Sequence, residues 1–180
     1  MKIERPVLGS IAHAIAFVTM LYCFTAPAVA EEVKAGDLVI SQAWSRATPG
    51  GAKIGGGYLT VENKGATPDR LIGGTWDANA KVEVHEMATR DGVMTMRPLD
   101  KGLVIDPGKT VKLAPGGHHL MIMELKSPFK QGEKVPVTLQ FEKAGKVTLS
   151  LDVQGVGAQG PAGADGAGDH AMHDHSGMKK

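Results

Sequence analysis

The spacing of turn residues constrains this chain more than any other feature. Short runs rich in Val, Ile, Leu and Thr cover 38–43, 57–62, 81–85, 93–97, 110–113, 119–125, 135–141 and 146–153. Such residues fit a pleated, half-buried surface. Between many of them stand turn formers: Glu62-Asn63-Lys64-Gly65, Arg90-Asp91-Gly92, Asp106-Pro107-Gly108, Ala114-Pro115-Gly116-Gly117, Gln131-Gly132-Glu133 and Lys143-Ala144-Gly145. No stretch sustains the 3.6-residue period of a long amphipathic helix. About eight short strands at this spacing predict an all-β fold, an antiparallel cupredoxin-like or immunoglobulin-like sandwich.

That pattern does not reach the ends of the chain. Lys2 and Arg5 form a basic start, 11–24 is mostly apolar, and Ala28-Val29-Ala30 is a small-residue cleavage site before Glu31-Glu32. Residues 1–30 therefore read as a secretory signal peptide, which places the mature protein in the periplasm. Cys23 is followed as a lipid-anchor alternative, but Tyr22 precedes it where a lipidation site carries Gly or Ala. At the other end, 157–180 is mainly Gly, Ala, Asp and His and has almost nothing to bury. One sandwich domain over 31–156 remains, long enough for a single core.

Losing Lys2, Arg5 and Glu4 lowers Lys+Arg from 20 to 18 and Asp+Glu from 19 to 18, so the mature side-chain balance is zero. A neutral chain without basic clusters has no electrostatic footprint for nucleic acid. No later segment approaches the roughly 20 apolar residues of a membrane helix, so stable membrane insertion is not expected. The only cysteine leaves with the signal peptide. The mature domain thus lacks disulfides, thiolate ligands and a cysteine nucleophile.

Chemistry concentrates in two segments, Val84-His85-Glu86-Met87 through Met94-Thr95-Met96 and Gly117-His118-His119-Leu120-Met121-Ile122-Met123. Imidazole and thioether at alternating positions make a soft donor set, suited to Cu(I) and poorly suited to Mg²⁺, Ca²⁺ or Mn²⁺. Residues two apart on a strand share a face, so His85 with Met87, Met94 with Met96, and His119 with Met121 can each act as a pair. Val82 and Val84 mark the buried face of their strand, leaving Glu83, His85 and Met87 on the outer one, with His85 at an exposed strand end. Around His119 both faces are apolar, and the pattern leaves open which is buried. Met94 and Met123 are expected to be core packing, and His118 a solvated turn residue.

Five further runs bring a family into view: Ala43-Trp44-Ser45-Arg46-Ala47-Thr48-Pro49, Gly55-Gly56-Gly57-Tyr58-Leu59-Thr60-Val61-Glu62-Asn63, Asp69-Arg70-Leu71, Gly92-Val93-Met94-Thr95-Met96-Arg97-Pro98 and Pro115-Gly116-Gly117-His118-His119-Leu120-Met121. Together they resemble the copper chaperones called PCu(A)C over nearly the whole domain. That family's pattern is a His, ten residues, a Met, about twenty-one residues, then His-x-Met. His85 and Met96 have ten residues between them, and His119-Leu120-Met121 supplies the last element after twenty-two. A strict count selects His118, which lacks a Met two residues on, so His119 is retained.

The resemblance implies a metal site of His85, Met96, His119 and Met121, with Met87 auxiliary, that carries Cu(I) toward the copper-site subunit of cytochrome oxidase alongside a Sco-type protein. A blue-copper electron-transfer site needs a Cys thiolate, which the mature chain lacks. The C-terminal segment adds His170, Met172, His173 and His175, a flexible donor set for Cu(II) or Zn²⁺. An enzyme is not expected: there is no G-x-S-x-G elbow, no H-E-x-x-H and no evident carboxylate pair. Periplasmic copper storage or scavenging, and an interaction module that binds no metal, are the alternatives.

Overall fold

A computed structural model describes residues 31–77 and 80–163. Eleven strands form among them: β1 Val33–Ala35, β2 Leu38–Arg46, β3 Gly55–Asn63, β4 Asp69–Trp76, β5 Ala80–Arg90, β6 Val93–Pro98, β7 Leu103–Ile105, β8 Thr110–Leu113, β9 His118–Ile122, β10 Lys134–Phe141 and β11 Lys146–Gln154. The ladder runs β2-β11-β10-β4-β5-β9-β3, and a β2–β3 pairing closes it into a ring. Closure removes open edges from the central strands. The remaining four are appended, with β1 on β2, β6 on β5, β7 on β4 and β8 on β3.

Strict alternation builds the core. In β10, Val135, Val137, Leu139 and Phe141 point inward, and in β11 Val147, Leu149, Leu151 and Val153 do the same. Leu120 and Ile122 complete the cluster from β9 and Val82 and Val84 from β5. This resolves the ambiguity around His119: the Leu120/Ile122 face is buried in the core, so His119 and Met121 take the opposite face.

The all-β expectation holds, and three particulars differ. One pairing is parallel, with Asp152, Val153 and Gln154 of β11 beside Trp44, Ser45 and Arg46 of β2. Strands β1, β4 and β7 fall outside the eight expected runs, and β4 carries Gly73-Gly74 within it. At Gly74 a Cβ would collide with the carbonyl oxygen of Thr138, and Gly73 has φ +151°. Glycine is therefore the condition for β4 to pack against β10, and not a sign of a loop. Finally, β9 stops at Ile122, because Glu124 adopts φ 59° and the Leu125 N–H turns to the Lys53 carbonyl.

Candidate metal centre

The β5–β6 hairpin turns through Asp91 and Gly92, both at positive φ (51° and 76°), the backbone a two-residue hairpin requires. The turn fixes the register, setting Met87 opposite Met96 and His85 opposite Pro98. On the other side of β5, His85 lies opposite His119 and Glu83 opposite Met121 of β9. Since directly opposed residues project to the same face, two hairpin strands and a sequence-distant third place His85, Met87, Met96, His119 and Met121 on one surface. His118 falls opposite Glu86, on the other face, with Nε2 3.7 Å from Glu86 Oε1.

Next to β9, strand β3 contributes Gly56, the Cα partner of Met121. Any Cβ there would press on the Tyr58 hydroxyl at 3.0 Å. Gly56 forms part of the wall of a cleft of about 520 Å³ lined also by Met87, Met94, Met96, His119, Met121 and Tyr58, among others. Tyr58 stacks on Trp44 at 4.5 Å between ring centroids, and the Arg46 guanidinium lies 5.9 Å from its ring. Arg46 also holds the chain that follows β11, its Nε donating to the Ala158 carbonyl (2.6 Å) and its Nη2 to Gln159 Oε1 (3.0 Å). The first residues of the 157–180 segment are thus anchored beside the cleft. His170, Met172, His173 and His175 lie outside the described residues.

Exposure corrects two expectations. Met94 is 66% exposed and not core, because β6 pairs with β5 alone and every residue of it is exposed. His85 is only 8% exposed, since β5 continues to Arg90 and places it in mid-strand rather than at an open end. His119 is likewise buried at 7%, whereas Met96 is 48% exposed. The cleft therefore has the buried His119 imidazole on its inner side and the half-exposed Met96 thioether on its outer side, while His85 is not among its lining residues.

Each imidazole is anchored through one nitrogen. His119 Nδ1 lies 3.0 Å from the Gly117 carbonyl oxygen, an acceptor only, so Nδ1 carries the proton and Nε2 the lone pair. His85 Nε2 lies 2.9 Å from Glu83 Oε2, and its Nδ1 is buried without a hydrogen-bond partner. The Glu83 carboxyl is held below its ordinary range, first by the hydrogen bond from Lys81 (2.6 Å) and then by that with His85. An ionised carboxylate can only accept, so the His85 proton sits on Nε2.

These features fit a metal ion. Ligating histidines characteristically donate their second N–H to a carboxylate or carbonyl, as both do here. The rings are 5.9 Å apart between centroids. With metal–nitrogen bonds of about 2 Å, two imidazoles sharing one ion have centroids at most roughly 6 Å apart, so the separation suits a bridging ion. Among the described residues no group of three or more His, Cys, Asp or Glu is placed to hold a metal. Further donors to an ion between His85 and His119 would accordingly come from thioethers. Sequence reasoning assigned no role to Glu83, although its i, i+2 spacing to His85 on a strand was a usable signal, and it assigned Met94, weighed there as a partner of Met96, to the core, because its exposure depends on β6 being appended.

The family described as LpqE-like matches residues 38–153, spanning β2 through all but the end of β11. A protein named "Putative lipoprotein Lxx21020" from Leifsonia xyli subsp. xyli is 34% identical over 121 residues, covering 67% of this chain and 72% of its own. Among solved structures, the copper-bound PCuAC domain from PmoF2 is similar with a TM-score of 0.59 and 30% identity, covering 69% of this chain and 98% of that domain. The apo PmoF2 PCuAC domain gives 0.60 and 30%, covering 72% and 99%. No helix among the described residues is long and apolar enough to cross a membrane. The chain belongs to the LpqE-like family, and its sandwich is a PCuAC-like domain.

Proposed function

We propose that this protein is a non-enzymatic Cu(I) carrier of the cell envelope, binding the ion through His85, Met96, His119 and Met121 and passing it to the copper-site subunit of cytochrome oxidase in concert with a Sco-type protein. One observation carries the reading. His85 and His119 stand opposite each other in register, each with one nitrogen anchored and the other without an assigned partner, on the face that also bears Met96 and Met121. The likeness to a copper-bound PCuAC domain supports the same ion. Imidazole with thioether favours the monovalent state, and the half-exposed Met96 offers a route for release by ligand exchange. Met87, on the same face, is an auxiliary donor.

Cell-envelope placement is supported by the signal-like residues 1–30 and by a relative named as a lipoprotein. Cleavage after Ala30 yields a periplasmic protein, whereas a lipid on Cys23 would tether it; the mass of the mature chain distinguishes these. Titration of the mature protein with Cu(I) against a competing chelator tests the main reading. One tightly held Cu(I) per chain, lost in the His85→Ala and His119→Ala variants, is expected. Absence of Cu(I) binding by the folded wild type overturns it. Storage or scavenging gains weight if His170, Met172, His173 and His175 take up additional Cu(II) and the loaded protein fails to metallate an oxidase copper-site domain.

A further inference from the structure

The two buried histidines are anchored in opposite senses. The Gly117 carbonyl accepts a hydrogen bond from His119 Nδ1–H, while the Glu83 carboxylate accepts one from His85 Nε2–H. Glu83 is itself fixed from its other side, with Oε1 2.6 Å from Lys81 Nζ while Oε2 faces His85. Lys81, Glu83 and His85 stand at alternate positions of β5, so one strand face carries an ammonium–carboxylate–imidazole chain. On the next strand, Met121 is the Cα partner of Glu83.

We infer that Glu83 is a positioning residue that fixes the His85 tautomer, so that the bound ion is held by Nδ1 of His85 and Nε2 of His119, two different ring nitrogens. The inference rests on the copper-carrier reading for the identity of the ion, but its geometric half concerns the metal-free protein. His85 Nδ1 is buried, has no hydrogen-bond partner, and belongs to a ring 5.9 Å from that of His119. With Nε2 engaged by a carboxylate, Nδ1 is the nitrogen left with a lone pair to donate. Metal-bound histidines depend on such outer partners, whose loss typically weakens affinity 10- to 100-fold.

Long-range ¹H–¹⁵N correlation spectra of the metal-free full mature chain read the tautomers directly. His85 is expected as the Nε2–H form and His119 as the Nδ1–H form. On loading with Ag(I), a spin-active mimic of Cu(I), coupling should appear at Nδ1 of His85 and at Nε2 of His119. Glu83→Ala should mix the His85 tautomers and weaken Cu(I) binding about 10- to 100-fold, with the His119 tautomer and the circular dichroism spectrum retained. Glu83→Gln keeps an acceptor oxygen and should restore most of the affinity. A wild-type His85 in the Nδ1–H form, Ag(I) coupling at its Nε2, or a folded Glu83→Ala variant with wild-type affinity would each overturn the inference while leaving the carrier reading intact. Failure of the wild type to bind Cu(I) or Ag(I) with the predicted tautomers present would instead overturn the carrier reading and, with it, the assignment of the two ligating nitrogens, leaving only the role of Glu83 in fixing the His85 tautomer.

Discussion

Replacing Met96 by Ala separates folding from metal binding, because the two make different demands on this side chain. Burying a Met completely contributes roughly 1.5–3 kcal/mol. Met96 is 48% exposed on a strand that pairs with β5 alone, so truncation should cost the metal-free domain no more than about 1 kcal/mol. Copper tells a different story. Free Cu(I) held at about 100 times the dissociation constant stabilises the folded state by about 2.7 kcal/mol, and a tenfold weaker site at the same concentration retains only about 1.4 kcal/mol. For a domain of this size 1 kcal/mol moves the melting temperature by roughly 4 °C. The copper-induced rise should therefore shrink from about 11 °C to about 6 °C. Thermal unfolding with buffered Cu(I), repeated with Cu(II), makes the measurement, and the Cu(II) rise should change much less because thioether contributes little to that ion. An unchanged Cu(I)-induced shift in a folded Met96→Ala variant would remove Met96 from the site and refute the thioether reasoning.

Three other perturbations probe the frame. Leu120→Ala hollows the core directly beneath the site, at a residue with no exposed surface, and should cost about 2–5 kcal/mol in urea unfolding; a smaller loss would mean that β9 is held mainly by its pairing. Burial pushes the Asp69 carboxyl up, but backbone N–H bonds from Lys143, Arg70 and Ala144 outweigh it and hold the group below the ordinary range. A depressed folded-state pKa contributes stability above the unfolded value of about 3.9 and loses it as pH falls through the folded value. Asp69→Asn should thus lower the urea midpoint at pH 7 and flatten its decline below about pH 4, and an equally steep decline would contradict this. Deleting residues 164–180 spares Ala158 and Gln159, which Arg46 holds, and should leave the metal-free melting temperature and one Cu(I) site intact while lowering Cu(II) capacity; loss of both metals together would merge the two sites into one.

Strand positions were legible in the chain because alternation is a local property: Val135 to Phe141 and Val147 to Val153 state their buried faces without reference to anything else. Local signals failed at β4, where Gly73-Gly74 answers the backbone of β10 and not the chain's own preference. His85, Met96, His119 and Met121 could be singled out as residue types at strand spacing, and His119 was kept over His118, which the strict family count selects, because only His119 has a Met two residues on. The sequence by itself thus determined an all-β domain and the donor chemistry available to it. It could not say that β5 lies between β6 and β9, since strand order depends on which distant edges bury apolar surface together. Only the tertiary structure set His85 opposite His119, turned Leu120 inward so that Met121 faced out, and left Met94 exposed on an appended strand. The anchoring of His85 by Glu83 followed in turn, because a tautomer is chosen by the partner in reach, and that partner is fixed only when side-chain geometry is.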